Sequence, residues 1–305
     1  MKTDISQNPS ERRLLIFSAW FSILLVSDLP DIICNAVFGQ VPAWLLGAKL
    51  GFLFLFFGLC LIWKNLRPLR PYAFVMLVFY AALTASEWVR TSAWWAGLIS
   101  DKTPPSFVLT YLRPYLRDIG VTLAVIGALW IAKRHRIGFF LVKGQLDAPI
   151  EPIPLLGIGQ GRSWRTFGWI FALVAAVVVA FPTLLALHTP PDMMLRAATL
   201  LPAILLYAAI NAFNEEIYFR ASLLSTLPQV IGKDHALLIN VAFFGLAHYL
   251  FGSPPGIPGF LMTGFLAFLI GKSMLETKGI FWAWFIHFLP DVVIFFSYAI
   301  LWIKQ

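Results

Sequence analysis

The chain has 305 residues, 59% of them hydrophobic and only 12% charged, about half the charged share of an ordinary soluble domain. Apolar runs near the length of a bilayer crossing recur from end to end, which excludes a soluble globular protein, and no series of ten-residue alternating segments signals a β-barrel. The formal charge of +8 is not a nucleic-acid footprint, because the basic residues gather in loops between apolar runs, as membrane topology requires.

In chain order, the start "MKTDISQNPSERR" followed by "LLIFSAWFSILLV" has the outline of a signal sequence. No small-residue cleavage site follows, only "SDLPD", so an uncleaved first membrane segment is expected. Hydropathy and length place segments at about 14–38, 42–63, 71–98, 112–132, 166–187, 194–224, 236–251, 257–275 and 279–303. Asp28, Pro30 and Asp31 interrupt the first, and the seventh is short. The expectation is an all-α, polytopic transmembrane helical bundle of about 8–9 helices. Cys34 and Cys60 lie within or beside apolar segments and offer neither a disulfide framework nor a CxxC metal site.

With the N-terminus inside, the inside segments hold Lys2, Arg12, Arg13, Lys64, Arg67, Arg70, Lys133, Arg134, Arg136, Lys143, Arg162, Arg165, Lys233, Lys272 and Lys278. The outside segments hold only Lys102, Arg113, Arg196 and Lys304. That asymmetry argues for an N-in, C-out arrangement, in the inner (cell) membrane of a bacterium. The Pro- and Gly-bearing basic stretch at about 133–165 reads as a cytoplasmic linker. It closes an N-terminal helical region, 1–165, and precedes a C-terminal core, 166–305.

Ionisable side chains within the bilayer cost about 2.5–3.5 kcal/mol each on insertion scales, so their positions localise function. In the N-terminal half Asp28, Asp31, Lys49, Glu87 and Arg90 lie mostly near segment ends, where snorkelling suffices, and Glu87 with Arg90 suits a local ion pair. In the C-terminal half Glu215, Glu216, Arg220, His248, His287 and Asp291 fall in three separate apolar segments. His188 and His235 sit in connecting segments and read as solvated, and His135 belongs to a basic cluster.

Helical spacing sorts the charged set. Glu216 and Arg220 are i and i+4, the favourable order for a pair on one face. Glu215 is turned about 100° from Glu216 and about 140° from Arg220, which leaves it as the carboxylate available for chemistry, near Asn211 and Phe219. Phe244 and His248 share a face, as do His287 and Asp291, so that Asp291 could orient the imidazole. Pro290 removes a donor between them and leaves the Ile286 carbonyl without its helical partner. The bland readings are a structural hydrogen bond for a lone histidine and a structural clamp for the Glu–Glu–Arg set.

Two glutamates, two histidines and an aspartate, with no serine or cysteine nucleophile beside them, suggest activation of water. One route is a metal held by Glu215, His248, His287 and Asp291, although the HExxH zinc signature and the di-iron ExxH pattern are absent. The other is metal-free general-base catalysis with separate oxyanion donors. A non-enzymatic transporter or scaffold with a buried charge relay is a further alternative, and the lack of repeated halves speaks against a transporter.

"EEIYFR", "FGLAH" and "HFLPD" resemble the EExxxR, FxxxH and HxxxN/D motifs of the CAAX-protease and bacteriocin-processing family of intramembrane glutamate-dependent endopeptidases, which includes the Rce1-type prenyl-protein proteases. The resemblance covers about 195–303, in the family's motif order. It implies that Glu215 and His248 activate the attacking water and that His287 and Asp291 face the oxyanion. Glu216, Arg220 and Phe244 would support the motifs structurally, and no cofactor or metal is implied. Ala221 stands where glycine is frequent after the arginine, and Asp291 where the prenyl-protease branch commonly has asparagine. The implied substrate is a membrane-associated protein or peptide with a lipidated or hydrophobic C-terminus, with the lipid bilayer as the other partner and no nucleic acid.

Overall fold

The computed structural model describes residues 9–97, 106–133, 135–252 and 254–304. Lys2, Lys102 and Arg134 of the charge asymmetry lie outside the described residues, as does the Arg113 side chain. Among the described residues every element is helical, apart from the isolated bridges Pro149–Ser163 and Ile153–Ile158.

The main helices are α1 (Pro9–Val26), α2 (Leu29–Phe38), α3 (Leu45–Ile62), α4 (Arg70–Arg90), α5 (Phe107–Lys133), α6 (Trp164–Leu187), α7 (Pro191–Ala198), α8 (Leu201–Glu215), α9 (Lys233–Phe251), α10 (Ile257–Thr277) and α11 (Phe281–Lys304). Among the described residues seven helices are long and apolar enough to cross a membrane, or up to nine if each bent pair is one span. The protein is therefore an integral, multi-pass membrane protein. One bent pair is α1 with α2, which turns by 45° at the Asp28 interruption; the other turns by 69° between α7 and the helical stretch from Leu201.

The chain divides into two compact units. The first comprises Met1–Ala85, Ala124–Phe139 and Phe219–Gly271. Within it α1 packs on α2, α3 and α9. Ser22 and Tyr72 hydrogen-bond at 3.0 Å, and Tyr80 donates to the carbonyl of Val26, the last residue of α1. His235, expected in solvent, is half-buried and accepts at Nδ1 from the Trp20 indole at 3.2 Å. Lys49 is also a correction. It does not snorkel: its side chain is 6% exposed, paired with Asp31 and lying 3.9 Å from Asp28. The break after α1 places the two acids opposite it, so the interruption in the first segment is a charge site as well as a bend.

The second unit comprises Ser86–Leu123, Phe140–Tyr218 and Lys272–Gln305. Here α11 is the central strut, packed on α6, α7 and α8. Phe107, Tyr207, Ala208, Phe295 and Ile300 form a buried cluster, with Tyr115 stacked 5.4 Å from Tyr207. Glu87 and Arg90 form the expected local ion pair.

The stretch expected as a linker is folded on the loop joining α10 to α11. Gln145 N donates to the Thr277 carbonyl at 2.8 Å, and Ile280 N donates to Val142 at 2.9 Å. Indole groups supply further ties, from Trp282 to the Leu146 carbonyl at 3.0 Å and from Trp164 to Glu276 at 2.7 Å. Gly144 has φ of 78°, and a Cβ there would lie 2.7 Å from the Thr277 carbonyl oxygen, so the close approach requires glycine.

Breaking a buried ion pair by removing one partner strands the other charge. Lys49→Met is expected to destabilise the protein by about 3 kcal/mol, seen as a lower melting temperature in detergent. An unchanged melting curve would show that the pair carries no stability.

Candidate functional site

In the second unit the site is built from α8 and α11. Leu201–Glu215 is a regular helix rich in Ala and Leu, so Asn211 and Glu215, four residues apart, fall on one face. On α11 the same spacing aligns His287 with Asp291, and the helix runs on through Pro290. Packing of α11 along α8 brings these two faces together.

His287 is the centre of the constellation. Its Nδ1 donates to Glu216 Oε1 at 2.8 Å. Its Nε2 faces Glu215 Oε2 at 3.5 Å and Asp291 Oδ1 at 3.8 Å. The orienting bond therefore comes from Glu216, which is fully buried. Asp291, expected in that role from its i, i+4 spacing, is beyond hydrogen-bond range of the ring. Asn211 spans the two other carboxylates, donating through Nδ2 to Glu215 Oε1 at 3.1 Å and to Asp291 Oδ2 at 3.0 Å.

Glu215 is the most open of the three acids, its side chain 21% exposed. Its Oε2 is nonetheless a buried atom with no hydrogen-bond partner among the described residues. A buried carboxylate oxygen left without a donor is costly, and such atoms are expected where a reacting group binds. The arrangement can accept a proton at Oε2 and donate one from an imidazole that is held from its opposite side.

Immediately after Glu215 the backbone changes. Residues Glu216–Ala221 form a π-helical segment, with i→i+5 bonds, of a kind that is frequent at functional sites. The 100° steps of an α-helix therefore do not carry from Glu216 to Arg220, and nothing in the residue pattern signalled this. In the second unit this region is braced from α5. Thr122 donates to Asn214 Oδ1 at 2.6 Å, and the Tyr218 hydroxyl donates to the Asp118 carbonyl. Neither brace figured in the sequence reading, although Asn211 and Asn214 stand out as polar residues in an apolar run.

The first unit holds the remaining motif residues. The Arg220 guanidinium carbon lies 3.7 Å from the centre of the Phe244 ring, a cation–π contact in a fully buried setting. The Phe219 ring meets Phe244 edge-on, with centroids 5.1 Å apart. His248 is half-buried and bonds through Nδ1 to the Phe244 carbonyl at 2.9 Å. A carbonyl only accepts, so Nδ1 carries the proton and Nε2 is the basic nitrogen of the neutral ring. Phe244 thus positions both Arg220 and His248. His188 and His135 are exposed, as expected.

Residues 197–293 match the family model described as Type II CAAX prenyl endopeptidase Rce1-like. This is a membrane protease. The matched stretch covers less than half of the chain, yet it contains Glu215, Glu216, Arg220, Phe244, His248, His287 and Asp291. No curated protein and no solved structure matches the chain. Among the described residues no group of three or more His, Cys, Asp or Glu side chains is placed to hold a metal ion.

If the Glu216 bond holds the imidazole, the acceptor matters more than its charge. Glu216→Gln keeps an acceptor and is expected to retain more cleavage than Glu216→Leu, which should fall about 10- to 100-fold, the worth of a hydrogen bond to a charged group. Cleavage rates of the two purified variants, with melting curves to confirm folding, check this. Equal rates would remove the bond from the account.

Proposed function

We propose that the protein is a metal-independent, glutamate-dependent endopeptidase that cuts a peptide bond in a membrane-associated protein or peptide. The observation that carries this reading is the buried Glu215 Oε2, which has no hydrogen-bond partner among the described residues and faces the His287 imidazole at 3.5 Å. Glu215 takes a proton from the attacking water, with His248 as the second basic group that the family resemblance assigns to this step. The water oxygen bonds to the scissile carbonyl carbon, and His287 Nε2–H stabilises the oxyanion that forms. Collapse of the tetrahedral intermediate breaks the C–N bond, and protonated Glu215 returns its proton to the leaving amine.

An imidazole that donates from Nδ1 to Glu216 and from Nε2 to an oxyanion is an imidazolium. Glu215, Glu216 and Asp291 supply its counter-charge. An ionised Asp291 would repel an oxyanion directly, so it acts through His287. Glu216, Arg220 and Phe244 support the motifs without touching the reacting atoms. The region 166–305 would carry the catalytic core and 1–165 the additional helices, with the N-terminus cytoplasmic on the strength of the basic loops. The apolar surroundings favour a substrate whose C-terminal tail is lipidated or hydrophobic.

The test uses protein purified in detergent and a membrane-protein extract from cells lacking it, with new peptide termini counted after incubation. Asp291→Asn is expected to retain much of the cleavage and His287→Ala to lose most of it. An inactive but folded Asp291→Asn variant counts against the indirect role of the aspartate. Strong chelators are expected to leave the rate unchanged; abolition by chelation and recovery with zinc would replace the general-base reading with a metal-dependent one.

A further inference from the structure

We propose that Asn211, outside the three motifs, is the positioning residue that selects which oxygen of Glu215 works as the base. The inference rests on the proposed protease mechanism and deepens it. Asn211 precedes Glu215 by one helical turn and reaches across to α11, where its amide also meets Asp291. Carboxylate oxygens only accept, so the amide must turn its NH2 group toward both acids. The Tyr115 hydroxyl, 3.4 Å from Asn211 Oδ1, is on the side that the amide oxygen must then occupy.

The four groups close a ring. Asn211 holds Glu215 Oε1 and Asp291 Oδ2, and the opposite oxygens of the same two carboxylates, Glu215 Oε2 and Asp291 Oδ1, face His287 Nε2. One oxygen of Glu215 is therefore occupied and the other is left to take the proton. The same bonds offset the repulsion between two acids on neighbouring helices, since hydrogen bonds to charged groups are among the stronger ones. Asn211 need not touch the substrate to do this. It fixes the carboxylate plane.

Two variants separate this role from packing. Asn211→Leu keeps the volume and loses both donors. Asn211→Asp keeps the shape and replaces the donor with an acceptor aimed at two acceptors. The purified variants are offered the membrane-protein extract at rising concentration, and the initial rate of new-terminus formation is separated into kcat and KM. Both are expected to lose about 10- to 100-fold in kcat while KM stays within about twofold. Asn211→Leu combined with Asp291→Leu, which removes the acceptor, should lose less than the product of the single losses, because the two side chains share one bond.

A folded Asn211→Leu variant with wild-type kcat overturns the inference, as does a loss confined to KM or a strictly multiplicative double variant. If Asn211→Asp fails to fold, the leucine variant and the cycle still decide. Glu215→Gln is run beside them. Cleavage that survives Glu215→Gln brings down the protease mechanism itself, whereas a dead Glu215→Gln beside a fully active Asn211→Leu brings down only the role of Asn211.

Discussion

An imidazole buried among three carboxylates is the constraint on which the candidate site depends. His287 bonds to Glu216 on one side and faces Glu215 and Asp291 on the other, inside helices whose remaining residues are almost all apolar. Charges at that depth persist only when they are paired with one another or serve a function. This set does both. Glu216 orients the ring, Asp291 adds counter-charge, and one oxygen of Glu215 has no hydrogen-bond donor among the described residues.

Each supporting element can be understood through that requirement. Asn211 and Glu215 need a regular helix to share a face, and Leu201–Glu215 provides it. Glu216 must then turn its carboxylate to His287 Nδ1, and the backbone enters its π-helical segment at that residue. A single wide turn changes the direction of every following side chain, Arg220 included. On α11 the two candidate residues, His287 and Asp291, sit either side of Pro290, where one backbone carbonyl lacks its helical donor. In the first unit Phe244 does the positioning, carrying Arg220 on its ring and His248 on its carbonyl.

The helical class and the helix positions were legible because apolar runs of bilayer length have few alternatives. The three motifs were legible because buried ionisable residues are conspicuous against such a background, and i, i+4 spacing aligned His287 with Asp291 on one face. Which carboxylate holds the imidazole was not legible. Spacing pointed to Asp291, but the bond comes from Glu216, 71 positions away in the chain, and only helix packing sets that distance. The π-helical segment leaves no compositional mark, so angles counted at 100° per residue stop being valid at Glu216. Lys49 looked like a snorkelling side chain because its partners Asp31 and Asp28 meet it only through the bend between α1 and α2. The stretch before Trp164 looked like a linker because it makes these ties with its own backbone, Gln145 N to the Thr277 carbonyl and the Leu146 carbonyl to the Trp282 indole, which leaves no mark on its own side chains.

The central claim is that Glu215, and not merely a charged cluster, does the chemistry. The most direct measurement is a proteome-wide comparison of terminal peptides between cells making the wild-type protein and cells making Glu215→Gln at the same level. The account predicts cleavage products that are present with wild type and lost with the variant, and those products name the substrate. Identical terminal peptides in the two populations, with both proteins folded in the membrane, would contradict it.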